Sequence, residues 1–207
     1  MARRLAVFLV LMSLHTSLLI TSTIAGAKFI ALPFGLSASA TVISYLLTFI
    51  ILNAIAELYG RQYSRFVINM GLVGMALSAA YFELAVLMPA ANPEQEKAFQ
   101  AVLGASWRIW LGGWTAYIVS QNLDLWSFLK LKPLVGRSLV IRAWISMLLG
   151  QLLDTIIFMT IAFYGISSLP SAIAGQYLIK LIFVTLAAPL VSAIVHVGRI
   201  FVRDVND

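Results

Sequence analysis

The sequence predicts an all-α fold: a polytopic integral membrane protein with six transmembrane helices, both termini cytoplasmic, and a short external amphipathic helix between helices 3 and 4. Three observations carry this. Of 207 residues, 61% are hydrophobic and only 11% charged, with mean hydropathy +0.96, whereas soluble domains are nearer half apolar and a quarter charged. The apolar residues fall into six runs of roughly twenty, each long enough to cross a bilayer as a helix. The basic residues, finally, alternate between many and few from one connection to the next.

The six runs cover 5–29, 36–56, 66–88, 109–128, 143–164 and 177–197. Pro33, Gly60, Pro89, Pro133, Gly136, Gly165 and Pro170 lie between them, where helix breakers belong. No polar segment is long enough for a separate soluble domain, so residues 1–207 read as one transmembrane domain. Arg3, Arg4, Arg61, Arg65, Lys130, Lys132, Arg137, Arg142, Arg199 and Arg203 collect on one side. Lys28, Lys97, Arg108 and Lys180 collect on the other. Ten against four places both termini in the cytoplasm by the positive-inside rule. Arg3 and Arg4, an apolar run, and then Ala25, Gly26 and Ala27 resemble a signal peptide. The run is long for one and Lys28 follows at once, so an uncleaved first helix is expected.

After Pro89, Asn92 can cap a helix, Pro93 suits its first turn, and Gln95 completes a weak capping box. Glu94 and Glu96 complement the helix dipole. Phe99, Val102 and Leu103 make one apolar stripe, and Gly104 can end the helix. Two readings stand for this external helix: a lid over the outer mouth, or a surface element anchored for packing.

Composition also excludes functions. The chain has no cysteine, which removes disulfides, thiolate metal sites and cysteine nucleophiles. The net charge of +6 is spread over short loops and forms no patch with interleaved aromatics, so nucleic acid is not the expected partner. His15 and His196 have no ligand-like spacing to an acid, and no metal or other cofactor is expected.

The chemistry sits in a repeat. Gln121, Asp124 and Phe128 share their spacing with Gln151, Asp154 and Phe158 in the next span, and on a helix those three side chains share one face. A carboxylate in a membrane helix costs a few kcal/mol, so it faces a partner or a polar cavity. Hydrogen bonding between helices needs no carboxylate, and a substrate or ion site is therefore expected. At about 1.5 Å per residue, Gln121 lies about 21 Å from the outer end, while Gln151 and Asp154 lie about 13 and 18 Å from the inner end. Within a core about 30 Å thick, these three fall in one inner-to-central layer, with Asp124 closer to the cytoplasm. The motif thus runs in opposite directions on adjacent helices, as repeats around transporter sites do.

Asn53 and Glu57 share a face of the second span, and Glu57 can also pair with Arg61 or Arg65 at the boundary. Glu83 is either interfacial or a gate. Lys180 and Arg108 each allow two readings, outward snorkelling or a place in the site. Trp107, Trp110, Tyr59, Trp144 and Tyr177 fit an interfacial belt.

Asn53, Glu57 and Gly60, the Ser120–Phe128 and Gln151–Phe158 motifs and the external Gln95–Gly104 segment together resemble the vitamin-uptake-type family of queuosine precursor transporters, over about 44–189. The resemblance implies a multi-pass protein of the inner cell membrane that imports 7-cyano- or 7-aminomethyl-7-deazaguanine for tRNA queuosine. Asn53 stands where the family commonly has Asp, and Ala56 where it has a polar residue. The 2-amino-4-oxo edge of such a ligand offers two donors and a carbonyl acceptor, which a carboxylate and an amide, Lys or Arg can meet. Asp154 or Asp124 is expected to take the donors, Gln151 and Gln121 to orient the ring, and Asn53 and Glu57 to close the site, with Lys180 and Arg108 as its cations. No phosphate loop is present. The resemblance leaves a homodimer or an energy-coupling ATPase module as partners, and a substrate-binding subunit of an energy-coupling-factor vitamin importer as the alternative role. An intramembrane aspartyl enzyme is disfavoured, since Gly-x-Gly-Asp is absent. An assembly protein leaves the repeated carboxylates unexplained.

Overall fold

The computed structural model describes residues 2–26, 28–31, 37–104, 107–136, 138–165 and 169–203; Ala27, Pro33 and Arg137 lie outside them. The order is α1 (Ala2–Ala25), β1 (Phe29–Ala31), β2 (Ser37–Ser39), α2 (Thr41–Tyr59), α3 (Arg61–Leu87), α4 (Pro93–Leu103), α5 (Trp107–Lys130), α6 (Lys132–Val135), α7 (Leu139–Phe163) and α8 (Leu169–Arg203). The described chain is helical apart from β1 and β2, an antiparallel pair in which Ile30 faces Ala38.

That hairpin corrects the first two boundaries. The first helix stops at Ala25, not at 29, and the second begins at Thr41, not at 36. The last helix also begins earlier than expected. Pro170 sits in its first turn, where a missing N–H costs nothing, so this proline starts α8 instead of separating it from α7.

Among the described residues, five helices are long and apolar enough to cross a membrane: Ala2–Ala25, Thr41–Tyr59, Arg61–Leu87, Leu139–Phe163 and Ala172–Val202. The sixth expected span, α5, has 24 residues and equals them in length. Its apolarity is diluted by Gln121, Asn122 and Asp124, the residues that make it informative.

Gly60 alone joins α2 to α3. Its φ of 84° lies in the left-handed region that glycine reaches without strain, and its N–H closes on Ala56 O at 3.1 Å. In α4, Asn92 Oδ1 accepts from Gln95 N at 2.8 Å and Pro93 opens the first turn. Gly104 caps the other end through its N–H to Gln100 O.

The interior is built around three stripes spaced four residues apart. On α2 these are Tyr45, Phe49, Asn53 and Glu57; on α5, Gly112, Ala116, Ser120, Asp124 and Phe128; on α7, Arg142, Ser146, Gly150, Asp154 and Phe158. A four-residue step keeps side chains nearly on one face. α2 and α5 run together, because Thr48 meets Gln121 and Asn53 meets Asp124, and α7 runs against α2, because Tyr45 meets Asp154 while Glu57 meets Arg142. α8 lies parallel to α2, since Lys180 reaches Asp154 and Arg199 reaches Glu57. Gly150 lets α5 and α7 approach closely: a Cβ there would meet Asp124 Cβ at 3.2 Å and Ser120 O at 3.3 Å. α1 adds buried Phe8, Leu11, His15 and Leu19 to the α2 side.

Candidate functional site

The stripes place polar groups in three layers. The first is centred on Asp154. Its Oδ2 accepts from Lys180 Nζ at 2.7 Å, and its Oδ1 accepts from Tyr45 OH at 2.8 Å and from Ser120 Oγ at 3.5 Å. Asp154 is 6% exposed and Lys180 7%, so this ion pair is held away from solvent. Snorkelling of Lys180 is therefore corrected. The register of α8 points the ammonium inward, where a carboxylate meets it, and Tyr45 adds its ring face at 5.9 Å.

Asp154, Lys180, Tyr45 and Gln151 line a cavity of about 580 Å³, inside the range usual for small-molecule sites. Trp110, Trp114, Phe158 and Phe163 supply flat apolar walls, and Gly26, Ser39, Thr41, Gly104 and Gln176 line it from the helix ends and connections. Ala101 and Val102, from the last turn of α4, also belong to the lining. Two donors here have no partner among the described residues: Gln151 Nε2 and Trp114 Nε1. A buried donor left unpaired costs about 1–3 kcal/mol, so both are poised for an acceptor brought from outside the chain.

The second layer does not touch the cavity. Asn53 Nδ2 donates to Asp124 Oδ1 at 3.4 Å and to Ser146 Oγ at 3.5 Å, and all three residues are fully buried. Gln121 turns elsewhere, donating through Nε2 to Thr48 Oγ1 at 3.0 Å. Asp124 and Asp154 therefore do not converge on one pocket. Asp124 Cβ lies beside Gly150, four residues or about 6 Å along α7 from Asp154, its carboxyl turns on toward Ser146, and Phe49 packs against Gly150 between the two layers.

The third layer is ionic. Glu57 accepts from Arg142 at 2.8 Å and Arg199 at 3.1 Å, with Lys132 at 3.7 Å. Arg142 is buried and also stacks over Phe128 at 4.6 Å. The expected pairing of Glu57 with Arg61 or Arg65 is not made: the turn at Gly60 carries both arginines onto the exposed surface of α3.

Of the eight residues singled out in the sequence, Gln151, Asp154 and Lys180 line the cavity. Asn53 and Asp124 lie in the layer beneath it, Gln121 is engaged with Thr48, and Glu57 closes the far end. Arg108 is half-buried and outside the cavity lining, and among the described residues it donates to Tyr164 O at 3.5 Å. Trp110, assigned to the interfacial belt, instead lines the cavity and donates to Glu83 Oε1 at 3.0 Å. Tyr45 and Trp114 were not singled out. Tyr45 was within reach, since stepping back by fours from Glu57 and Asn53 passes Phe49 and arrives at it. For Trp114 no such signal exists.

A protein of Bacillus subtilis (strain 168) named "Probable queuosine precursor transporter" is 30% identical over 137 residues, which is 64% of this chain and 59% of that protein. The chain's match thus covers less than two thirds of the relative's length. No solved structure matches the chain. The family described as "Putative vitamin uptake transporter" matches residues 39–194, from the last residue of β2 to far along α8 and across all three polar layers. By that match, the chain belongs to the vitamin uptake transporter family.

Proposed function

We propose that the protein imports a flat, nitrogen-rich heteroaromatic solute, a 7-deazaguanine precursor of queuosine, through the cavity above Asp154. The observation that carries this reading is the convergence of Tyr45, Gln151, Asp154 and Lys180, from α2, α7 and α8, beneath aromatic walls. A 2-amino-4-oxo edge presents two donors and one acceptor. Asp154 has lone pairs left to accept donors, and Gln151 Nε2 is free to meet the carbonyl. Lys180 holds the carboxylate in one geometry. The walls from Trp114 and Phe158 suit stacking on a planar ring. The name of the Bacillus subtilis relative agrees with this substrate class.

Charge also favours one precursor. The cavity's carboxylate is already matched by Lys180, so an aminomethyl cation would add an unpaired positive charge. A nitrile is an acceptor and suits the free Trp114 Nε1. The 7-cyano compound is thus the expected substrate, and it should compete more strongly than the 7-aminomethyl compound in uptake assays.

Six spans complete the reading, with α5 crossing alongside α7, both termini in the cytoplasm and α4 outside. The cavity then faces outward and the Glu57 cluster closes the cytoplasmic end, where the basic residues collect. A shared ATPase module, as in energy-coupling-factor importers, is the second reading of the energy source; co-purification of ATPase subunits would favour it.

The test is complementation. A host unable to make the precursor, supplied with limiting 7-cyano-7-deazaguanine, should regain queuosine in its tRNA with the wild-type chain. It should not with Asp154→Asn or Gln151→Ala proteins that still reach the membrane. Normal queuosine with both variants would refute the assignment.

A further inference from the structure

Asp124 is the acidic side chain of the interior that has no cation. Asp154 is matched by Lys180 and Glu57 by Arg142, Arg199 and Lys132, but among the described residues no ion pair reaches Asp124. It is fully buried, with the neutral amide of Asn53 3.4 Å from its Oδ1 and the neutral Ser146 hydroxyl beside the carboxyl, and its Oδ2 has no hydrogen-bond partner among the described residues. Asn53 Oδ1 and Gln121 Oε1 are likewise buried acceptors without donors. The layer is thus short of hydrogens. A bare carboxylate in such a place would cost several kcal/mol.

The neighbours offer no other remedy. From α2, Asp124 meets Asn53, with Glu57 one turn further on; from α7 it meets Ser146 and Gly150, with Arg142 and Asp154 one turn beyond on either side. Glu57 and Arg142 are engaged with one another and Asp154 with Lys180; Arg142 Nε and Nη1 have no partner among the described residues, but no ion pair joins that guanidinium to Asp124. A metal cation is poorly served, because hard cations ask for about six or more oxygens at roughly 2.0–2.6 Å. Here one amide nitrogen already faces the carboxylate, and the oxygens are few. A proton needs a single acceptor.

We propose that Asp124 is a proton-binding site: it is held as the neutral carboxylic acid in this outward-facing arrangement, and its proton couples solute import to the proton gradient. The balance is simple. A carboxylate takes one proton from the cavity side and becomes a carboxylic acid, which fills one orphan acceptor and lets the layer pack dry. When the Glu57–Arg142 end opens, water reaches Asp124 and the same proton leaves to the opposite side. No bond to the solute is made or broken. The coupling half of this inference rests on the transport reading above; the proton itself does not.

Two measurements separate them. Ligand-free wild-type protein in lipid nanodiscs at neutral pH should show an infrared carbonyl band of a protonated carboxylic acid that shifts in heavy water. The band should be lost in Asp124→Asn and kept in Asp154→Asn. No such band in the wild type overturns the proposal, even where a variant fails to fold. In proteoliposomes, an acid-outside gradient should raise uptake of radiolabelled 7-cyano-7-deazaguanine several-fold in the wild type, and the ratio with and without the gradient should fall to one in Asp124→Asn. An unchanged ratio, or uptake driven by a sodium gradient instead, overturns the coupling. No uptake by the wild type would sink the transport reading while the band still decides the proton.

Discussion

Lys180 Nζ lies 2.7 Å from Asp154 Oδ2 with both side chains buried, so α7 and α8 are joined by an ion pair inside the bundle. Removing one partner leaves the other charge buried and uncompensated. Lys180→Met or Asp154→Asn should each cost about 3–5 kcal/mol, read as a lower thermal midpoint of the detergent-solubilised protein. The double variant should recover much of that loss, because both charges are gone, while uptake stays absent. Single variants that melt like the wild type would show that the pair is not formed.

Tyr45 gives Asp154 a hydrogen bond at 2.8 Å. Bonds to charged groups are worth about 1.5–3 kcal/mol, so Tyr45→Phe should lower stability by an amount in that range while keeping the ring. If the same bond aims the carboxylate at the solute, binding should weaken by about tenfold or more. Smaller thermal stabilisation by 7-cyano-7-deazaguanine at matched concentration would show it. Equal stabilisation in wild type and Tyr45→Phe would remove Tyr45 from the site.

Glu57 gathers Arg142, Arg199 and Lys132 at the end opposite the cavity. The natural chain has no cysteine, so single cysteines can report access. Ser146→Cys should resist a water-soluble thiol reagent from either side, since Ser146 is fully buried. Adding Glu57→Gln should make it react from the cytoplasmic face, as Arg142 loses its carboxylate and the cluster parts. Equal labelling with and without the second change would mean that the ionic layer is not what seals this end.

Gly150 marks the closest approach of α5 and α7. An added Cβ would lie 3.0 Å from the Phe49 ring and 3.2 Å from Asp124 Cβ. Gly150→Leu should therefore overpack the interface and cost about 1–3 kcal/mol or more. Gly175→Ala, with nothing within 4 Å of the new methyl, should be neutral or stabilising by up to about 1 kcal/mol. Thermal midpoints of the two variants would settle the contrast, and similar values would argue against the packing.

How far the sequence reaches can be judged from particular residues. Composition and the apolar runs fix a helical membrane protein, because lipid tolerates few other backbones. The Gln and Asp spacing places both motifs on inward faces, and Asn92, Pro93 and Gly104 mark the ends of α4 through purely local hydrogen bonds. What these signals lack is register. Nothing local states that Asp124 comes level with Ser146 and Ser120 with Asp154, because that depends on how two helices slide past one another at Gly150. Counting residues from the span ends sets Asp124 nearer the cytoplasm than Asp154, but it does not say which side chains of α2 and α7 each one meets; packing does.

The amino-acid order by itself determined the class of fold, the faces of the helices and which residue types carry charge into the interior, since these follow from period and polarity along one chain. Only tertiary packing decided which cation meets which carboxylate: among the described residues, Lys180 turns to Asp154, Arg142 and Arg199 to Glu57, and none to Asp124. The reason is physical. The cost of a buried charge is set by its neighbours in space, and in a bundle those neighbours come from other helices, tens of residues away in the chain.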